Sequence, residues 1–251
     1  MDKGYVLHSY PYRETSLILQ VWTEKHGRLA LVAKGARRPK SSSRSVLVAF
    51  QPIALDWFGR GELRTLKTAE PASPATPLAG DALLSAFYLN ELLLKLTTRD
   101  DPHERLFEAY DMAISELRAL SRLAPRASRL GDIEPVLRRF ELRLLQELGY
   151  AVELEREAGT HAPIAAEREY LYVVERGPVP AQEGSTPANA VRLAGQTLID
   201  LERGDFASAT TASQSKQLMR LLIQHSLNGQ ELATRSLVRD LQRLEGEEGA
   251  R

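Results

Sequence analysis

Cysteine is absent from the 251 residues. Without a thiol the chain forms no disulfide, no thiolate nucleophile and no thiolate zinc site, and its composition suits a reducing compartment. Long apolar runs are missing too. None approaches the ~18 residues of a membrane span, and the first twenty residues lack the basic start and apolar centre of a signal peptide. Neither a membrane nor a secreted protein is expected. Aromatic residues are few, at 6%. There is no Gly-Lys-Ser/Thr phosphate loop, no GxGxxG and no GxSxG. The five histidines, His8, His26, His103, His161 and His225, keep no metal-ligand spacing. No catalytic residue, metal or cofactor is expected, and the reading is not an enzyme.

Charge is present in quantity but balanced, with 33 Lys+Arg against 33 Asp+Glu. The balance hides an asymmetry. Residues 1–80 hold 12 basic and 6 acidic residues, which leaves 21 basic and 27 acidic for the remainder. From Lys25 to Arg44 there are seven basic residues and no acidic one. Ordinary surfaces mix both signs, so a front end of this kind points to a polyanion.

The hydrophobic period changes near residue 70. Before it, Tyr5–Tyr10, Ser16–Trp22, Arg28–Lys34, Val46–Phe50 with Ile53–Phe58, and Glu62–Ala69 read as short strands between Gly-rich turns, favouring a small barrel or sandwich. Pro71 to Pro77 holds three prolines in seven residues and reads as an extended linker. Beyond it, Asp81 is placed to N-cap a run in which Leu84, Phe87, Tyr88, Leu92 and Leu96 recur at helical spacing. Helices are expected at about 102–120, 133–148, 190–203, 213–228 and 230–244. Residues 150–187 read as an irregular insert with a short β-like Tyr170–Val174. The fold class is therefore a two-domain α+β protein: residues 1–70 a small barrel or sandwich, 71–80 a linker, and 81–251 mostly helical.

The strongest functional signal is Gly27–Arg44, GRLALVAKGARRPKSSSR. Strand alternation puts Arg28, Ala30, Val32 and Lys34 on one face and Leu29, Leu31 and Ala33 on the other. Past Gly35, a loop carries Arg37, Arg38, Lys40 and Arg44 among the flexible-looking Ser41, Ser42 and Ser43. Such cations contact phosphates without reading sequence; a solvated basic loop is the bland alternative. Arg13 and Lys25 belong to the same candidate surface. Tyr10, Tyr12, Trp22, Trp57 and Phe58 are possible stacking platforms for single-stranded bases, with Trp22 and Phe58 assigned to the barrel interior instead. In the helix at about 133–148, Arg138, Arg139 and Arg143 flank an apolar face. This usually means a core helix with snorkelling arginines, and the minority reading is a groove for an acidic peptide with an apolar end.

The chain resembles the RecO family of bacterial DNA-repair recombination mediators nearly end to end. The pieces that carry the resemblance are Val6-Leu-His-Ser9, Glu14-Thr-Ser-Leu17, Gly27-Arg-Leu-Ala-Leu-Val-Ala-Lys-Gly-Ala-Arg37 and Leu66-Lys-Thr-Ala-Glu70. Tyr88-Leu-Asn-Glu-Leu-Leu93, Arg139-Phe-Glu-Leu-Arg-Leu-Leu145 with Leu148-Gly-Tyr150, and Leu227–Leu237 complete the set. The resemblance implies an N-terminal OB-fold and a helical C-terminal domain. It implies binding of single- and double-stranded DNA, annealing of complementary strands, and loading of RecA recombinase on coated single strands together with RecR and the single-stranded DNA-binding protein. It also implies a cytoplasmic location at the bacterial nucleoid. The family's basic barrel face maps onto Arg28, Lys34, Arg37, Arg38, Lys40 and Arg44. Arg139, Leu142 and Arg143 are the expected seat of the single-stranded DNA-binding protein's acidic, apolar-ended C-terminal tail. Many members carry four zinc-binding cysteines after the Leu-Gly-Tyr segment. This chain has none there and resembles the zinc-free branch. An RNA-binding OB module and a helical adaptor with an incidental basic loop are the competing readings.

Overall fold

The computed structural model describes residues 1–74, 76–123, 130–150, 152–182, 184 and 186–234. Five strands, β1 (Asp2–Tyr12), β2 (Ser16–Thr23), β3 (Gly27–Ala33), β4 (Pro52–Phe58) and β5 (Leu63–Pro71), close into a barrel in the order β1-β2-β3-β5-β4. Only the β3–β5 pairing is parallel among these strands. With the helical turn α1 (Ser43–Val46) between β3 and β4, this is an OB-type barrel. Period-two alternation builds its core: Leu19, Val21, Leu29, Leu31, Ile53 and Leu55 are all at most 1% exposed. Each such side chain contributes about 1.5–3 kcal/mol by leaving water.

The expected strand at Val46–Phe50 is not formed. Ser43–Val46 makes one helical turn instead, closed by Leu47 N–H donating to the Ser43 carbonyl at 2.9 Å. Leu47 then joins the barrel's core cluster, so its apolar character serves as a plug.

The barrel packs with two helices, α2 (Gly80–Leu96) and α3 (Glu104–Leu123). Ala82, Ala86, Leu89 and Leu93 form the inward stripe of α2. Asp81 does not cap it. Ala79 is the capping residue, and its N–H is met by the Ser121 hydroxyl at 3.0 Å; Asp81 lies in the first turn, where the helix dipole favours an anion. On the barrel's outer wall Tyr5 stacks on Phe107 and Tyr110 of α3 and donates to Asp111. Burial, then the Asp111 bond, push its pKa upward. Gly27 sits where the loop after α2 crosses β3. A Cβ there would fall 2.0 Å from the Asp101 carbonyl oxygen, and the backbone has φ +66°, so glycine is required twice over.

A second compact unit runs from α4 (Leu130–Glu147) to Glu231. It contains a three-stranded sheet, β7-β6-β8, of β6 (Glu169–Val173), β7 (Gly177–Pro180) and β8 (Ala190–Ala194), with helices α5 (Gly195–Arg203) and α6 (Ala209–Ser226). The insert at 150–187 therefore holds two paired strands. Tyr170 and Tyr172 alternate inward and are at most 1% exposed. The helix expected at 190–203 is half strand. Ala190–Ala194 pairs with β6, and the break falls at Gly195, whose missing Cβ would lie 1.9 Å from the Ala165 carbonyl oxygen. Before β6 the chain winds around Glu157, which is 4% exposed and accepts from the Thr160 and Tyr170 hydroxyls at 2.7 and 3.1 Å.

After Glu231 the chain rejoins the first unit. Glu91 of α2 accepts hydrogen bonds from Ala233 N–H (2.8 Å), Thr234 N–H (2.9 Å) and the Thr234 hydroxyl (2.7 Å). Ala233 and Thr234 are helical; the rest of the helix expected at 230–244 lies outside the described residues. No described helix is long and apolar enough to cross a membrane.

Candidate nucleic-acid interface

The loop between β3 and α1 is fixed, and its basic residues are what it displays. Ala36, 1% exposed, inserts into the barrel core. Arg37 N–H donates to the Thr15 carbonyl at 2.9 Å, and its guanidinium reaches the Arg13 and Glu14 carbonyls, each at 3.4 Å. These contacts tie the loop to the β1–β2 turn and bring Arg13 beside Arg37. Arg13 itself has φ +52° and lies over the Tyr12 ring at 5.1 Å. Further on, Arg38 N–H donates to Gly35, Ser41 to Arg38 and Arg44 to Ser41, so the serine tract is a run of hydrogen-bonded turns. Lys34, Arg37, Arg38, Lys40 and Arg44 are all exposed.

Acid partners separate this cluster from three of the barrel's other cations. Lys3 pairs with Asp111 at 2.8 Å, Lys67 with Asp56 at 3.1 Å, and Arg64 with Asp100. Among the described residues no carboxylate pairs with Arg13, Lys25, Lys34, Arg37, Arg38, Lys40 or Arg44. A concentration of uncompensated cations is the electrostatic footprint of a phosphate-binding surface.

Arg28 and Lys25 lie at the other end of β3. Six residues separate Arg28 from Lys34, roughly 20 Å along the strand. Arg28 is half-buried and engaged within the protein: its guanidinium donates to the Thr97 carbonyl at 2.7 Å and to Gln20 at 3.4 Å. Burial, then neighbouring Arg99, lower its pKa. Lys25 is exposed on the β2–β3 turn. Among the aromatics, Trp22 is fully buried, as expected, and Trp57 packs against the core. Phe58 does not belong to the interior; it is 56% exposed. The reason was readable in β4: Ile53, Leu55 and Trp57 take the inward positions, so the next residue must point out.

In the second unit, α4 places Arg139 and Arg143 in solvent with Leu142 half-buried between them. Arg143 lies 3.6 Å from Glu147. Arg138, by contrast, is buried against Glu141 at 2.9 Å. One turn beyond Leu142, Leu145 lines a cavity of about 280 Å³ with Tyr150, Tyr172, Val174, Leu222 and His225. Sequence reading did not find this cavity, because its walls come from three separated segments. Among the described residues no group of His, Asp and Glu side chains could hold a metal.

Comparison with known proteins covers both units. Residues 1–75 match the family described as "Recombination protein O N terminal" and residues 78–235 the family "Recombination protein O C terminal". The chain is 49% identical over 241 residues to the DNA repair protein RecO of Nitrosospira multiformis, covering 96% of this chain and 95% of that one. It is 48% identical to RecO of Aromatoleum aromaticum with the same coverage, and 47% identical over 247 residues to RecO of Ralstonia nicotianae, of which 84% is covered. An OB-type barrel with an exposed basic loop, joined to a largely helical unit and matched along nearly its whole length, places this chain in the RecO family of DNA repair and recombination proteins.

Proposed function

We propose that this protein is a non-catalytic recombination mediator that binds DNA without sequence preference, anneals complementary strands and helps load RecA recombinase. The observation that carries the DNA-binding reading is the loop at Lys34–Arg44, whose cations are exposed, held by backbone hydrogen bonds and without an acid partner among the described residues. Lysine and arginine on one rigid rim neutralise the phosphates of two strands at once. Their mutual repulsion falls and the bases can pair, with counterion release supplying the drive. Arg13, held beside Arg37, extends the rim; Arg37 both contributes charge and keeps the loop in place.

The partner reading rests on α4. A disordered acidic tail ending in apolar residues and a carboxylate, such as that of the single-stranded DNA-binding protein, needs a guanidinium rim above an apolar recess. Exposed Arg139 and Arg143 supply the guanidinium groups, and half-buried Leu142 on the same side of α4 supplies the apolar contact. RecR is the further partner.

The test replaces Lys34, Arg38, Lys40 and Arg44 with Ala and retains Arg37. At about 0.7 per phosphate contact, the slope of log affinity against log salt on single strands should fall by roughly 3. Annealing of strands coated by the cognate single-stranded DNA-binding protein should fall with it, while the melting temperature stays within surface-substitution range. An unchanged slope returns the loop to ordinary surface.

A further inference from the structure

The barrel carries an outward row that its packing does not use. Cross-strand partners in register share a face, and the pairing runs Tyr10 to Ile18, Ile18 to Val32, Val32 to Thr65 and Thr65 to Phe58. The row crosses all five strands, roughly 19 Å along the curved sheet at ~4.8 Å per step. None of the five belongs to the barrel core. Ile18, Val32 and Thr65 are half-buried, while the rings at the two ends stand open: Tyr10 is 47% and Phe58 56% exposed. Tyr10 is braced by the His8 ring, edge-on at a centroid distance of 4.3 Å.

Resting on the DNA-binding reading above, we infer that this row is the stacking strip for the unpaired bases of a single strand whose phosphates follow the basic loop. The charge around the row selects that occupant. Lys34 continues the outward alternation of β3 two residues past Val32, and Arg13 follows β1 three residues past Tyr10; neither has an acid partner among the described residues. Arg60 lies exposed in the hairpin just past Phe58. An apolar row that ends in open rings and is bordered by cations matches the chemistry of a single strand, in which π-faces alternate with a phosphate backbone. A duplex keeps its bases stacked on one another and offers the row nothing. The row therefore distinguishes single from double strands, whereas the loop binds both.

The experiment compares the full-length protein with its Tyr10→Ala/Phe58→Ala variant on three fluorescent ligands: oligo-dT, an abasic oligonucleotide of equal length and charge, and a duplex. Loss of one base stack weakens binding by about 5- to 150-fold. The variant should bind oligo-dT at least tenfold more weakly, bind the abasic strand and duplex as wild type does, and keep the wild-type salt slope. Tyr10→Phe/Phe58→Tyr, which retains both rings, should restore oligo-dT affinity; this excludes misfolding as the cause. Equal oligo-dT affinity for wild type and the Ala variant overturns the inference alone. Wild-type protein that binds none of the three ligands overturns the DNA-binding reading and the row with it.

Discussion

Glu91 is the side chain through which the first unit holds the returning chain, and its removal has a calculable effect. Its carboxylate is 13% exposed and accepts three hydrogen bonds from Ala233 and Thr234, with Lys95 at 3.8 Å. Two of the donors are backbone N–H groups at the start of a helical turn, which is the geometry of a borrowed N-cap. Losing a cap costs about 0.5–2 kcal/mol, and the hydroxyl bond adds about 1 kcal/mol. Glu91→Ala should therefore destabilise the protein by about 1.5–3 kcal/mol, lowering its melting temperature by roughly 3–12 °C. Burial raises the Glu91 pKa, but the bonds from Thr234 and Ala233, aided by Lys95, outweigh it and leave the pKa lowered. A carboxylate with a depressed folded pKa contributes stability above its unfolded value near 4.3, and that contribution is lost as pH falls through the folded value. Glu91→Gln keeps the shape and an acceptor oxygen without the charge. Urea titrations of wild type and Glu91→Gln between pH 7 and pH 3 should show a gap that is constant above about pH 5 and closes on acidification. A gap that persists unchanged at pH 3 would refute the ionic reading, and a cost below 0.5 kcal/mol for Glu91→Ala would refute the clamp itself.

Three further outcomes are expected. Arg28→Ala removes the bond to the Thr97 carbonyl and should lower stability by about 1–2 kcal/mol in urea titration while leaving the salt slope of DNA affinity unchanged. Gly195→Ala drives a Cβ into the Ala165 carbonyl and should cost more than about 3 kcal/mol, read as loss of the second unit's cooperative melting transition. Elemental analysis of tag-free protein should find no stoichiometric zinc; one tightly held zinc per chain would contradict a structure in which Glu157 and its hydroxyl donors organise the segment before β6.

The barrel was legible because both of its signals are local. Alternation marks Leu29, Leu31 and Ala33 as core, and the Gly59–Gly61 turn separates β4 from β5. Elements without a local signal were not. Ser43–Val46 is a single helical turn, too short to show a period, and Ala190–Ala194 has a composition that suits either state until β6 selects strand. Site residues divide in the same way. Lys34 and Arg38 stand out as candidates from the missing acids alone. Alternation gave Arg28 the same face as Lys34, yet what covers that end of β3 is a loop about seventy residues downstream. The cavity lined by Leu145 needs Tyr150, Tyr172 and Leu222, which nothing in a single sequence brings together.

The bonds between Glu91 and Thr234 also set an order of events during synthesis. Residues 1–123 leave the ribosome first and hold the whole barrel with α2 and α3, yet the acceptor on α2 lacks its three donors until residues 233 and 234 emerge. Between those moments the entire second unit is made and can fold. The unit that starts first is thus finished last, and a nascent chain stalled anywhere before Ala233 presents α2 with its clamp empty.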